Sequence, residues 1–129
     1  MTHEIKVSYY YTDDDLENII ITALEGGIGY WACLDNEVTE PPEWGDWSKQ
    51  PADMPTAVYA WQILQEGGTL HFLDEEDEAE EYYLDMSDLF KGIGLAIKKK
   101  EWDGDIDSLD ACSADCIIQE AIFGEVVYG

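Results

Sequence analysis

Apolar residues recur along the chain with two different periods, and these divide it into elements. Leu16, Ile19, Ile20 and Ala23 fall at i, i+3, i+4 and i+7, which predicts a helix over Asp13–Glu25. Ile21 and Leu24 widen its apolar face, so it should touch neighbours on more than one side. Asp13, Asp14 and Asp15 suit its start, because carboxylates accept from free N–H groups and complement the positive end of the helix dipole. Gly26 and Gly27 are expected to stop it in a left-handed cap. Upstream, Glu4–Thr12 alternates in part and is rich in Val and Tyr, which predicts a strand with Ile5, Val7 and Tyr9 on one face. Tyr30–Leu34 is a short apolar run that reads as a second strand.

Residues 35–55 break both periods. They contain all four prolines, Gly45, and two tryptophans, Trp44 and Trp47, expected to be exposed, so the stretch reads as an irregular Pro/Trp-rich excursion. Glu43-Trp44-Gly45-Asp46-Trp47 is either an aromatic and acidic contact surface or a cover for the core edge. Periodicity then resumes. Thr56–Glu66 reads as a helix with Ala57, Ala60, Trp61 and Leu64 inward, stopped at Gly67-Gly68. Thr69–Leu73 and Glu81–Asp85 read as a hairpin across Asp74–Glu81, where seven of eight residues are acidic. Ser87 is expected to cap a helix with Leu89, Phe90, Ile93, Ala96 and Ile97 inward, and Lys98-Lys99-Lys100 complements its C-terminal end. Asp103–Asp110 is a second acidic turn. Ser113–Phe123 is the last helix, with Ala114, Ile117, Ile118, Ala121 and Ile122 inward and Gly124 as its stop; Val126-Val127-Tyr128 adds an edge strand or packs down. Together these predict one α+β domain over residues 1–129, a small and mostly antiparallel sheet with about four helices packed against it.

Composition sharpens this picture mainly through charge. Thirty acids face six lysines, and no arginine is present, for a formal net charge of −24. Such a balance destabilises the compact state by self-repulsion. Arginine is the preferred residue for gripping phosphate and base edges, so its absence argues against direct nucleic-acid binding. A surface of this kind attracts a basic partner or divalent cations; its simpler reading is solubility or adaptation to salt. No apolar run is long enough to span a membrane, and Met1-Thr2-His3-Glu4 lacks the pattern of a signal peptide, so a cytoplasmic location is expected. Three cysteines, an odd number, fit reduced thiols rather than a disulfide framework.

Candidate chemistry is sparse. Gly26-Gly27-Ile28-Gly29 closes a helix rather than opening one and lacks the Lys-Ser/Thr of a phosphate loop. Asp103, Asp105 and Asp107 begin with calcium-loop spacing, but Ser108 and Ala114 stand where Gly and Glu are needed, which leaves a polar turn or a loose cation site. Cys112 and Cys116 share a helix face and could join Cys33 and His71 around zinc, yet the spacing does not require it, and free cysteine is commonly a buried apolar residue. His3 and His71 are the only side chains that titrate near neutrality without a shift, and no nucleophile or metalloprotease motif accompanies them. No catalytic residue, metal ligand set or cofactor is therefore assigned.

The blocks Leu16–Trp31, Gly67-Gly68-Thr69-Leu70 with its following acidic run, and Ala121–Gly129 occur in an order that resembles a family of small acidic hypothetical prophage and mobile-element proteins of bacteria. The likeness covers most of the chain outside Asp35–Pro55. It implies a phage or mobile-element setting, a bacterial host cytoplasm and an anti-CRISPR-like role, and it supplies no active-site residues.

These readings lead to a non-enzymatic protein that binds and inhibits a basic host partner, a nucleic-acid-binding protein or CRISPR effector, by mimicking DNA. The expected contact residues are Asp74, Glu75, Glu76, Asp77, Glu78, Glu80 and Glu81, with Trp44 and Trp47. An adaptor acting through the Trp-rich loop, or a weak divalent-cation-binding protein, is the alternative.

Overall fold

Helix α1 (Asp13–Thr22) begins at Thr12. The Thr12 hydroxyl accepts from the Asp15 amide at 3.1 Å and the Asp15 carboxylate accepts from the Thr12 amide at 3.0 Å. A computed structural model describes residues 1–37, 44–77 and 79–129 and builds the chain outward from this helix. Leu16, Ile19, Ile20 and Ala23 are buried on its predicted face. The helix ends differently from the expectation. After Thr22 the backbone widens into a π turn, Ala23–Gly27, closed by Ile28 N donating to Ala23 O at 2.9 Å. Neither Gly26 nor Gly27 has a positive φ. Gly27 is small for another reason: a Cβ there would lie 2.9 Å from the Ala111 carbonyl oxygen, at the start of another helix.

The sheet has three antiparallel strands in the order β1 (Ala32–Leu34), β2 (Leu70–Asp74), β3 (Glu81–Leu84). Cys33 pairs with Leu73, and Leu73 with Glu81. Alternation puts Leu70, Phe72, Tyr82 and Leu84 on the core side and Cys33, His71, Leu73, Glu81 and Tyr83 on the other. The predicted strand Glu4–Thr12 does not form: Met1–Tyr10 is irregular and exposed at every residue. Its alternating residues meet no sheet edge of this chain, and a strand without a neighbour leaves its N–H and C=O groups to water. The chain meets the body at Tyr9, which lies against Gly104, and at Tyr11, whose ring stacks on Trp102 and whose hydroxyl donates to Gly104 O at 2.7 Å.

The remaining helices are α2 (Thr56–Gln65), α3 (Met86–Lys98) and α4 (Ala111–Phe123). Two of the expected starts shift upstream onto aspartates. The cap of α3 is Asp85, boxed with Asp88, rather than Ser87; the cap of α4 is Asp110, and Ser113 closes its box from the third position. Each such cap is worth about 1 kcal/mol. Gly67 follows α2 and Gly124 ends α4, both with positive φ, as the turn chemistry requires. The terminal segment does not join the sheet; Tyr128 packs down on the core while Val126 and Val127 stay exposed.

Helices α3 and α4 cross closely through Leu89, Ile93 and Ala96 against Ala114, Ile117 and Ala121. Phe90, expected inward, is 55% exposed. Trp47, expected outward, is 6% exposed and packs on Tyr59 inside a short 3-10 turn. Cys33 and Cys112 are exposed and Cys116 half-buried, so the thiols are not the core residues anticipated.

Gly92 sits where α3 meets α4. A Cβ there would approach Ile117 O to 2.3 Å and the Ala121 Cβ to 2.7 Å, whereas at Gly94 nothing lies within 4 Å. Thermal unfolding of two variants checks this packing. Gly92→Ala should destabilise by about 1–3 kcal/mol or more through overpacking. Gly94→Ala should stabilise by roughly 0.5–1 kcal/mol through the lost backbone entropy of glycine.

Candidate functional site

The acidic hairpin is built around a carboxylate that faces inward. Asp74 is buried; its Oδ1 accepts from the Glu76 and Asp77 amides at 2.8 and 3.0 Å, and its Oδ2 from the Tyr82 and Tyr128 hydroxyls at 2.7 and 2.9 Å. The bond from Tyr82 and those from the turn amides and Tyr128 hold the Asp74 carboxyl at about 2. Asp74 thus orders the turn from inside, and the side chains left at the tip are Glu75, Glu76, Asp77, Glu80 and Glu81, all exposed. Asp77 in turn accepts from the Ala79 amide at 3.1 Å and, through its carbonyl, from Glu80 N at 2.9 Å. Glu78 lies outside the described residues.

Beside the tip, the outer sheet face gathers groups far apart in sequence. His71 is 4% exposed, with Nδ1 3.2 Å from an Asp35 oxygen and Nε2 3.4 Å from a Glu81 oxygen, neither aligned as a hydrogen bond. Trp44 stacks on His71 at 4.7 Å, Tyr83 lies 5.1 Å from His71 and 5.2 Å from Trp44, and the three rings touch mutually. The Tyr83 hydroxyl donates to Glu81, and burial together with that carboxylate pushes Tyr83 up. Of the two tryptophans singled out in the sequence, only Trp44 therefore reaches the root of the acidic hairpin; Trp47 is core. Asp35, His71 and Tyr83 complete the face, and only their register across three strands reveals them.

A second constellation lay outside the sequence reading altogether. Along α4, Asp115 accepts from Tyr30 Oη at 2.6 Å, Trp31 Nε1 at 2.8 Å and Gln119 Nε2 at 2.9 Å. Gln119 Oε1 accepts from the Val127 and Tyr128 amides at 2.7 and 2.8 Å. Burial and the bond to Asp115 push the Tyr30 phenol up to about 12. Further along, the Glu120 side chain is fully buried and its Oε1 accepts from Lys99 Nζ at 2.8 Å; that ammonium also donates to Gly124 O at 2.8 Å. Glu101 faces Glu120, and the remaining oxygens, Glu101 Oε1 and Glu120 Oε2, are buried with no other described partner. Burial, then the hydrogen bond and charge of Glu120, raise the Glu101 carboxyl to about 7. Burial and the charge of Glu101 raise the nearby Cys116 thiol to about 11. The available signal was Asp115, Gln119 and Glu120 on an otherwise apolar helix.

Among the described residues, no group of three His, Cys, Asp or Glu side chains converges as metal ligands. Asp103 accepts from Asp105 N and Ser108 Oγ, and Asp105 from Asp107 N, so these carboxylates close their own turn. No described helix is long and apolar enough to cross a membrane. No protein-family model, curated protein or solved structure matches the chain.

The raised Glu101 carboxyl has a pH signature. Because the folded value for Glu101 lies above the ordinary glutamate value of about 4.3, its contribution is complete below about pH 4 and is lost as pH rises through 7. Glu101→Gln keeps a donor towards Glu120 without the charge. Its melting temperature should exceed the parent's at pH 8 and vary less between pH 5 and 8 in a thermal-melt series; a parallel pH profile would refute the pairing.

Proposed function

We propose that this chain is a non-enzymatic acidic protein that occupies the basic groove of a nucleic-acid-binding protein in place of a polynucleotide backbone. In the phage or mobile-element setting, the target is a host DNA-binding protein or CRISPR effector. The observation that carries this reading is the hairpin tip. Glu75, Glu76, Asp77, Glu80 and Glu81 stand exposed on a turn whose backbone Asp74 pins from below. A turn whose backbone is already ordered has less backbone freedom to lose on binding, which favours a competitor of duplex DNA. Duplex DNA offers about one charge per 1.7 Å of axis, so the competition is electrostatic and salt-sensitive.

A second reading places the contact at Trp44 and Tyr83, because aromatic side chains commonly dominate interface energetics. Both stand partly open beside the hairpin root. Capture from a bacterial lysate separates the two. The parent protein should retain a basic protein that both salt and added duplex DNA release. Neutralising Glu75, Glu76, Asp77 and Glu80 to their amides should weaken that capture by roughly tenfold, at about 0.2–1 kcal/mol per exposed charge pair, while Trp44→Ala preserves it. Capture that survives neutralisation but vanishes with Trp44→Ala would replace the DNA-mimic reading with the aromatic one.

A further inference from the structure

His71 is enclosed without a hydrogen-bond partner. Its ring is 4% exposed on the outer side of β2, and neither nitrogen is hydrogen-bonded to a described residue. Each nitrogen instead faces a carboxylate. Asp35 follows β1 and lies 3.2 Å from Nδ1; Glu81 opens β3 and lies 3.4 Å from Nε2. A neutral imidazole has one N–H and one lone pair, so in either tautomer one carboxylate meets a lone pair. The imidazolium carries hydrogen on both nitrogens and suits both carboxylates at once. The faces of the ring are covered in the same sense. Trp44 stacks on it at 4.7 Å and Tyr83 at 5.1 Å, and aromatic faces attract a cation at such distances. Among the described residues, the lysine ion pairs go to Asp46 and Glu120, which leaves His71 as the cation within reach of Asp35 and Glu81. Four neighbours thus offer the charged ring what they cannot offer the neutral one.

We propose that His71 is a proton-operated latch: with hydrogen on both nitrogens it braces Asp35 and Glu81 and holds the Trp44 ring on the sheet, and loss of one proton releases that ring and opens the face of Tyr83. The backbone beside Trp44 fixes the pivot. Gly45 has a φ of +86° and lies so close to Ile63 that a Cβ would meet its side chain at 2.9 Å, so the chain is anchored there and the Trp44 ring swings from that point. The rings that Trp44 meets are His71 and Tyr83, and without the charge these contacts reduce to stacking between neutral rings. The other titratable groups of this face stay silent near neutrality. Burial and Glu81 push the Tyr83 phenol up; burial, Glu75 and Asp35 push the Cys33 thiol up. Glu81 also belongs to the acidic tip, so release returns a carboxylate to it. The latch sets how much aromatic and acidic surface the hairpin root presents, whichever partner meets it.

Tryptophan fluorescence reads the latch, because Trp31, Trp47, Trp61 and Trp102 are buried and Trp44 is the accessible one. Histidine changes charge between about pH 5 and about pH 8, so acrylamide quenching of the full chain is compared across that window. The quenching constant should rise roughly twofold towards the alkaline limit, as a half-buried ring becomes open, while the helix signal in circular dichroism stays constant. Long-range proton–nitrogen NMR of the same samples locates the proton: both His71 nitrogens should carry hydrogen at the acid limit and one at the alkaline limit. Glu101 titrates in the same window, so the Glu101→Gln chain is measured alongside and should keep the step. Asp35→Asn combined with Glu81→Gln removes both counter-charges and should move the midpoint lower by about one pH unit or more. His71→Phe keeps a ring between Trp44 and Tyr83 and should abolish the step. Equal quenching at both limits, a step that coincides with loss of helix, one that vanishes with Glu101→Gln or survives His71→Phe, or a midpoint that the paired amides leave in place would each overturn the proposal.

Discussion

A carboxamide and two carboxylates, buried among donors, tie together parts of the chain that share no sequence neighbourhood. Gln119 accepts two backbone amides of the terminal segment and donates to Asp115, which also takes the Trp31 indole and the Tyr30 hydroxyl. Tyr128, held in place by Gln119, stacks on Trp31 at 5.1 Å and donates to Asp74. Asp74 then orders the hairpin turn. A buried polar group without a partner costs about 1–3 kcal/mol, so each member of this series depends on the next being present. The exposed acidic tip rests on these interior contacts.

Apart from the buried Asp115 and Glu120 and the half-buried Glu101, two populations of acids stand out in this chain. One does structural work at positive helix ends and tight turns: Asp15, Asp85, Asp88 and Asp110 close capping boxes, Asp46 caps the Trp47 turn, and Asp103 and Asp105 close the second acidic loop. There negative charge is favourable, because it meets unsatisfied N–H groups and the helix dipole. The other population, with Glu75, Glu76 and Glu80 at the hairpin, is exposed, and these side chains accept no hydrogen bond from a described residue. Lysine is partitioned too. Lys99 reaches across from the end of α3 to the last turn of α4, where it serves Glu120 and the Gly124 carbonyl together. The lysine run thus complements the end of α4 as well as the helix it follows.

Legibility followed the range of the interaction. Apolar spacing within one or two turns determined the four helices and their inward residues, with Phe90 the exception, and turn chemistry determined the hairpin and the stops at Gly67 and Gly124. The run of carboxylates between two apolar segments already placed an acidic tip at the surface. All of these depend on contacts between near neighbours, which the chain carries in its order.

Tertiary structure decided the rest. Whether Glu4–Thr12 becomes a strand depends on a free edge beside it, and the edges of this sheet lie elsewhere. Gly27 and Gly92 are glycines because other helices come within contact distance, which no local rule records. Trp44 and Trp47 sit three positions apart, yet one joins His71 and Tyr83 while the other enters the core. Asp74 looked like one more surface acid of its run until two tyrosines from distant segments turned it inward. Glu101 comes to face Glu120 because the packing of α3 on α4 brings the end of one helix against the other. Periodicity sorts residues by polarity along one element; it carries no information about which polar groups on different elements will be enclosed together, and that enclosure sets their chemistry.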